Sequence, residues 1–284
     1  MVPGLDRDAI LDWARRIEAA AFSHIAAGER INFPNPEILV TLSAAAAVTS
    51  HVRILFNVLV LPMHSAVLAA KQLATLDVVS GGRLSVGVGA GARHEDFAAV
   101  GASWEGDRLG RLADQVALMR RVWAGEKVVE GALRPVEPRP VQEGGPEILA
   151  ASLSPASLKR AARWADGVCG FSFGPNVSEV DAGFQLARQA WQDAGRERAP
   201  RLVTNCWFAL GPEPRAQLDR YLHRYLAFLG PGVAEALAPT VTTTSKQSLV
   251  DVVRRLEDCG TDELSLVPTT ADASEIDRVV DALR

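Results

Sequence analysis

Apolar positions along this chain switch repeatedly between a period of about 3.6 and short unbroken runs. From Asp6 to Ala21, the residues Ile10, Trp13, Ala14, Ile17 and Ala21 recur at steps of three and four, the single stripe of a helix that Asp6 or Asp8 can cap. Phe22–Ala27 is a short run that suits a buried strand; 32–36 is Pro/Asn-rich loop, and 37–49 is Ala/Leu-rich and helical. The run from Val52 to Pro62 is β-branched and nearly continuous, as in a strand covered on both faces. A helix over 65–80 stops at Gly81-Gly82, and the strand over 83–91 dissolves into glycine. Helices follow at 94–100 and 107–124, then a Gly/Pro-rich connection at 131–146. Beyond it come strand 147–151, helix 155–165, strand 167–172, helix 178–194, strand 201–210 and helix 214–228. A Pro/Gly/Thr-rich loop at 229–245 precedes helix 246–259, strand 263–267 and helix 273–283.

Strand and helix alternate without a break in composition, which predicts an α/β fold with a parallel sheet in one domain, residues 1–284. The alternation suits a (β/α)8 barrel, but seven strands are visible where closure needs eight. Only Met1–Leu5, with Pro3 and Gly4, precede the first helix, so the barrel is expected to lack its first strand or to be truncated there. A strand is about five residues long, and each buried unpaired backbone group costs about 1–3 kcal/mol. Such a gap rivals the roughly 5–15 kcal/mol that holds a whole domain. Either the natural chain starts upstream, or N-terminal residues or a loop patch the gap.

Composition narrows the class. Apolar residues make up 48%, charged residues 23%, and the net charge is −4, which suits a globular protein and gives no reason to expect nucleic acid. No apolar stretch reaches the ~20 residues that span a bilayer, and the N-terminus lacks the pattern of a signal peptide. Three well-separated cysteines, Cys169, Cys206 and Cys259, carry no metal-ligand spacing and cannot all pair. A cytoplasmic protein without a metal or membrane partner is expected.

Three local patterns carry chemistry. Gly87, Gly89, Ala90 and Gly91 end a strand where the backbone can pass close to a planar ring or a phosphate; a glycine-softened strand end accounts for the same letters. Ala151-Ser152-Leu153-Ser154-Pro155 ends a strand and opens a helix, so its N–H groups and hydroxyls suit a phosphate, or simply a serine cap followed by proline. Asn57 interrupts an apolar strand, with Val58 after it. The turn Ser80-Gly-Gly-Arg83 reads as structural.

The blocks LATLDVVSGGRLSVGVGAG (73–91), Arg108-x-x-Arg111-x-x-Asp114 with its 119–123 tail, PEILAASLSPASLKRAARWADGV (146–168) and the weaker GTDELSL (260–266) resemble, in order and spacing, the luciferase-like monooxygenase superfamily. The resemblance spans nearly the whole chain. It implies an oxidoreductase using FMN or the deazaflavin coenzyme F420, with the coenzyme phosphate on the 151–154 loop. It also implies a non-proline cis peptide at Asn57-Val58 behind the ring, and a homodimer through the helices at 37–49 and 65–76. Relatives that oxidise alcohols or sugar phosphates carry Asp-His where this chain has Glu29 and Arg30. Arginine cannot act as a general base; Glu29 remains the candidate, while Arg30 suits an anionic substrate, the charge of a reduced flavin, or a surface ion pair. His64 is a further candidate beside the ring, or a structural hydrogen bonder. Trp104 and Trp207 suit a pocket wall or the core. The substrate is expected to be a small organic molecule. The rival class is a degenerate barrel that binds flavin, or nothing, and serves storage or interaction. A hydrolase or aldolase barrel would want a metal cluster or a strand-end lysine, and Lys71, Lys127, Lys159 and Lys246 all fall in helices or loops.

Overall fold

In a computed structural model, which describes residues 4–152, 154–170, 176–230 and 232–284, all seven apolar runs become strands. They are β1 (His24–Ala27), β2 (Arg53–Leu59), β3 (Leu84–Val88), β4 (Glu147–Ala150), β5 (Gly167–Cys169), β6 (Arg201–Phe208) and β7 (Glu263–Pro268). All pair in parallel with their sequence neighbours, giving one sheet of order β1 to β7. The helices are α1 (Arg7–Ala19), α2 (Ile38–Ala47), α3 (Ala66–Ser80), α4 (His94–Ala99), α5 (Arg108–Trp123), α6 (Pro155–Ala161), α7 (Val177–Asp193), α8 (Pro214–Leu226), α9 (Val233–Leu237), α10 (Lys246–Asp258) and α11 (Ser274–Leu283). The fold is a nearly closed α/β barrel one strand short of eight.

Several boundaries move inward, because glycine or an unpaired strand end stops the ladder before the apolar letters run out. β2 ends at Leu59 and a 3-10 turn takes Leu61–Met63, while β3 ends at Val88, before Gly89 and Gly91. The 229–245 segment, read as loop, holds α9 and a 3-10 turn at Ala238–Thr240.

Side chains fill the barrel in layers. Leu55, Leu149, Cys169 and Val203 are buried together at mid-height, with Val58 and Ala151 packed above them. Gly87 has no room for a side chain: a Cβ would lie 2.5 Å from the Phe56 carbonyl oxygen and 2.8 Å from Cys169 Sγ. Its glycine serves interior packing. Gly91 serves a turn, at φ +80° with Val60 and Phe97 against it. The Ser80–Arg83 turn is structural too, for the Arg83 guanidinium donates to the carbonyls of Ala46, Thr49 and Val52 and binds α2 to β2 and β3.

Below that apolar layer runs a charged chain. Arg201 bridges Glu147 and Glu263, and Glu263 Oε1 lies 2.8 Å from His24 Nδ1. His24 Nε2 is hydrogen-bonded to Ser265 at 2.6 Å. These contacts join β1 to β7 where no ladder does. Burial pushes the Glu263 carboxyl up, but the hydrogen bond and charge of His24, with Ser23 and Arg201, outweigh it and hold the group at about 2. From outside, α1 covers the same seam: Trp13 Nε1 donates to the Ala271 carbonyl at 2.9 Å and Arg16 pairs with Asp277. The Glu18 carboxylate accepts from the backbone N–H groups of Val52, Ser50 and His51 and is held at about 2. The N-terminal helix thus lies outside the seam, tied by side chains to residues on both of its sides. Among the described residues no helix is long and apolar enough to cross a membrane.

Candidate active site

Parallel strands all end on one side of a barrel, and the ends of β2, β3 and β4 stand at one level because their registers align Leu59 with Val88 and Val88 with Ala150. Backbone bonds extend this alignment past the strands: Gly89 N–H donates to the Leu59 carbonyl and Ala151 N–H to the Val88 carbonyl, both at 2.9 Å. Above them opens a cavity of about 740 Å3. Its wall holds Asn57, Val58, Gly89, Ala90, Gly91, Ala151 and Ser152 together. The cavity continues down the seam between β1 and β7 to apolar side chains such as Phe22, Leu264 and Ile276, the space an eighth strand would fill.

The Asn57–Val58 peptide is cis, and the β2–β3 register shifts between Phe56 and Leu59. Asn57 Nδ2 donates to Asn205 Oδ1, and Ser265 Oγ lies 3.4 Å away. Asn205 and Ser265 are polar positions inside apolar strands, the same signal that singled out Asn57. Val58 faces Gly89 closely: a Cβ on that glycine would sit 3.2 Å from Val58 Cγ2 and 3.5 Å from Ala151 Cβ.

At the β4–α6 junction, Ser154 N–H donates to Ser152 Oγ at 3.1 Å, and Ser154 Oγ to Ser157 Oγ at 3.0 Å. Ser152, Ser157 and Arg160 line the cavity, whereas Ser154 is exposed outside it and Leu153 lies outside the described residues. Arg160 pairs with Asp107 at 3.1 Å, both largely exposed. Ser157 and Arg160 repeat every third residue on α6 and read in sequence only as a polar face.

Glu29 is buried at the cavity wall with both oxygens engaged: Oε2 accepts from Val60 N–H at 2.7 Å and Oε1 lies 2.8 Å from His64 Nε2. His64 stands behind Glu29, away from the large cavity, against Glu37 and Leu73. Burial lowers the His64 imidazole, but the hydrogen bond and charge of Glu29, with Glu37 adding, leave it above its ordinary value. The pair braces the end of β1 against the end of β2, and His64 is a positioning group rather than a wall of the pocket. Arg30, beside Glu29, is buried under an aromatic cluster with no face on the cavity wall. Trp207 does wall the cavity, while Trp104 packs outside it on Phe97 and Arg108. Both strand thiols are neutral, since burial pushes Cys169 to about 12 and Cys206 to about 11.

The model of the luciferase-like monooxygenase family matches residues 2–251, and the chain belongs to that family. An uncharacterized protein of Mycobacterium tuberculosis is 33% identical over 170 residues, covering 58% of this chain and 59% of that protein. The FMNH2-dependent dimethylsulfone monooxygenase of Pseudomonas putida is 31% identical over 152 residues, 50% of this chain and 41% of its own length. The match thus spans roughly half of each of these relatives. Among solved structures, the monooxygenase RslO1 of Streptomyces bottropensis superposes with a TM-score of 0.79 at 25% identity, over 97% of this chain and 90% of that one. An F420-dependent secondary alcohol dehydrogenase superposes at 0.78 with 17% identity over 96% and 94%, a likeness of fold.

Proposed function

We propose that this chain is a flavin-dependent oxidoreductase that uses reduced FMN to oxygenate a small organic substrate. One observation carries the reading: the strand ends at 57–58, 89–91 and 151–152 share a single cavity whose wall there is built of glycine, alanine and one valine, with Asn57 and Ser152 as its polar members. A flat tricyclic ring suits such a wall, which carries little bulk: even a Cβ at Gly89 would already crowd Val58 and Ala151. Ser152, Ser157 and Arg160 would hold the phosphate, with Ser154 supporting Ser152, and Arg160 would exchange Asp107 for the ring's own anion. When bound, the reduced flavin supplies the electrons and the oxygen-activating chemistry. The chain's own residues orient it: Asn57, fixed by Asn205, offers its backbone and amide to the ring edge, and Val58 supports one face. Glu29 lines the cavity and is held in place by Val60 N–H and by His64 behind it, which sets it as the acid–base group of the chain. Reduced FMN is favoured over the deazaflavin because the sequence relatives at about 30% identity include an FMNH2-dependent enzyme, whereas the F420 enzyme shares the fold.

The test is a titration of the purified chain with FMN, reduced FMN and F420, read by difference spectra and by fluorescence quenching. Saturable binding of reduced FMN, weakened at least tenfold in Arg160→Gln, supports the reading. Preference for F420 would move it to hydride transfer, and binding of none of the three would leave the degenerate, non-catalytic barrel.

The same reading includes a homodimer. Val40 on α2 and Leu68 on α3 are large apolar residues left 70% and 54% exposed, and the two helices are neighbours. Light scattering at micromolar concentration checks it: a particle of about 60 kDa is expected, and a 30.4 kDa monomer would rule it out.

A further inference from the structure

Two guanidinium groups share a pair of aromatic rings at the edge of the cavity: Arg93 lines it, and Arg30 is buried behind. Arg30 is 6% exposed, and its Nη1 is buried without a hydrogen-bond partner among the described residues. The same holds for Nε of Arg93, which lines the cavity. Both groups lie on the same two rings: Arg30 Cζ is 5.9 Å from the Tyr225 centroid and 5.8 Å from that of Phe228, and Arg93 Cζ is 5.4 and 3.8 Å from them. Phe33 closes the far side of Arg30 at 4.9 Å. Burial and the facing Arg93 charge lower the Arg30 pKa, against Asp96 and Tyr225.

The carboxylates nearby do not balance this charge. Asp96 is buried and accepts from Arg30 Nε at 3.3 Å, but its other oxygen is taken by Asn32 N–H at 2.7 Å. Glu95 reaches Arg30 only at 3.6 Å from an exposed rim. Glu29, next in the chain, spends both oxygens on Val60 and His64. Among the described residues, one positive charge is left over at this edge of the pocket, with Arg93 Nε on the wall and Arg30 Nη1 behind it unpartnered. Leaving a buried charged donor unmade is costly, and the aromatic planes do not accept in-plane N–H bonds.

We propose that Arg93, with Arg30 buried behind it under the same two rings, forms the carboxylate subsite for the substrate, which is a monoanionic acid with an apolar or aromatic body. One carboxylate supplies the acceptor that Arg93 lacks and neutralises the residual charge of the pair, whereas a dianionic phosphate would face Asp96 and Glu95. The body of the acid then lies along Tyr225 and Trp207, which wall the cavity toward Asn57, and reaches the ring position of the function proposed above, on which this assignment rests. The phosphate of the coenzyme has its own place at Ser152 and Arg160, on a different strand end.

The experiment is calorimetric titration of the full chain, with and without FMN, with phenylacetate and 3-phenylpropionate and with their neutral amides. Each acid is expected to bind at least tenfold more tightly than its amide, Arg93→Gln is expected to abolish that preference, and Arg30→Gln is expected to do the same where it folds. Equal binding of acid and amide overturns the proposal, as does the absence of saturation by either acid up to about 10 mM, roughly ten times a millimolar Kd. Competition between FMN and phenylacetate, with FMN binding lost in Arg93→Gln, would assign the arginines to the coenzyme and also overturn it. Carboxylate preference without any FMN or F420 binding would refute the coenzyme reading alone and keep the anion subsite.

Discussion

Replacing Glu263 by Gln tests whether side chains hold the open side of the barrel. The carboxylate is 8% exposed at its side chain, bonds Arg201 and His24 across the seam, and is held at about 2 where 4.5 is ordinary. A difference of that size corresponds to about 3 kcal/mol of ionic stabilisation. Glutamine keeps one hydrogen bond, and Arg201 keeps Glu147, so the expected loss at pH 6 is about 2–3 kcal/mol, or a Tm lower by roughly 4–10 °C. The sign in pH is fixed by the lowered folded-state pKa. The contribution is complete above about 4.5 and is lost as the pH falls toward 2, so the wild type and the variant should converge in acid. Urea unfolding followed by circular dichroism at pH 6, 4 and 3 reads the gap directly. A gap below about 0.5 kcal/mol at pH 6, or one that stays constant down to pH 3, would show that the seam is held by something else.

Further outcomes follow from the site and its supports. Gly89→Leu places a side chain in the proposed ring space; FMN affinity should fall at least tenfold, about 1.4 kcal/mol, while the melting temperature by scanning calorimetry stays within roughly 4 °C. His64→Ala removes a group held above its ordinary 6.5. Its contribution is present below 6.5 and lost as pH rises through the folded-state value, so the stability gap to wild type should narrow above neutrality in urea titrations and stay constant below pH 6.5. Gly167→Ala sets a Cβ 2.2 Å from the Arg201 carbonyl oxygen and 2.7 Å from its nitrogen, both backbone; it should cost upwards of about 3 kcal/mol, seen as a Tm lowered by more than roughly 6 °C. A Gly167→Ala protein of wild-type stability would mean that β5 and β6 separate easily.

Seven strands and most of the helices were legible in the sequence, because buried parallel strands read as apolar runs and surface helices as stripes. The strand deficit was legible too, since it needs only counting. So were Asn57, Gly89 and Ser152, each an interruption or an ending of an apolar run that local rules pick out. What closes the deficit was not legible. His24 and Glu263 lie 239 residues apart in sequence and meet only because β1 and β7 curve toward each other. Arg30 was visible as an oddity beside Glu29, but its partner Arg93 and the rings of Tyr225 and Phe228 come from a loop and a helix whose letters look like ordinary polar and amphipathic surface. His64 stands behind Glu29 and off the wall of the large cavity, next to the 3-10 turn at 61–63. Periodicity is a property of neighbours along the chain, so the sequence by itself determined the elements and their order. Charge balance and cavity shape depend on which distant side chains share a volume, and only the tertiary structure decided that.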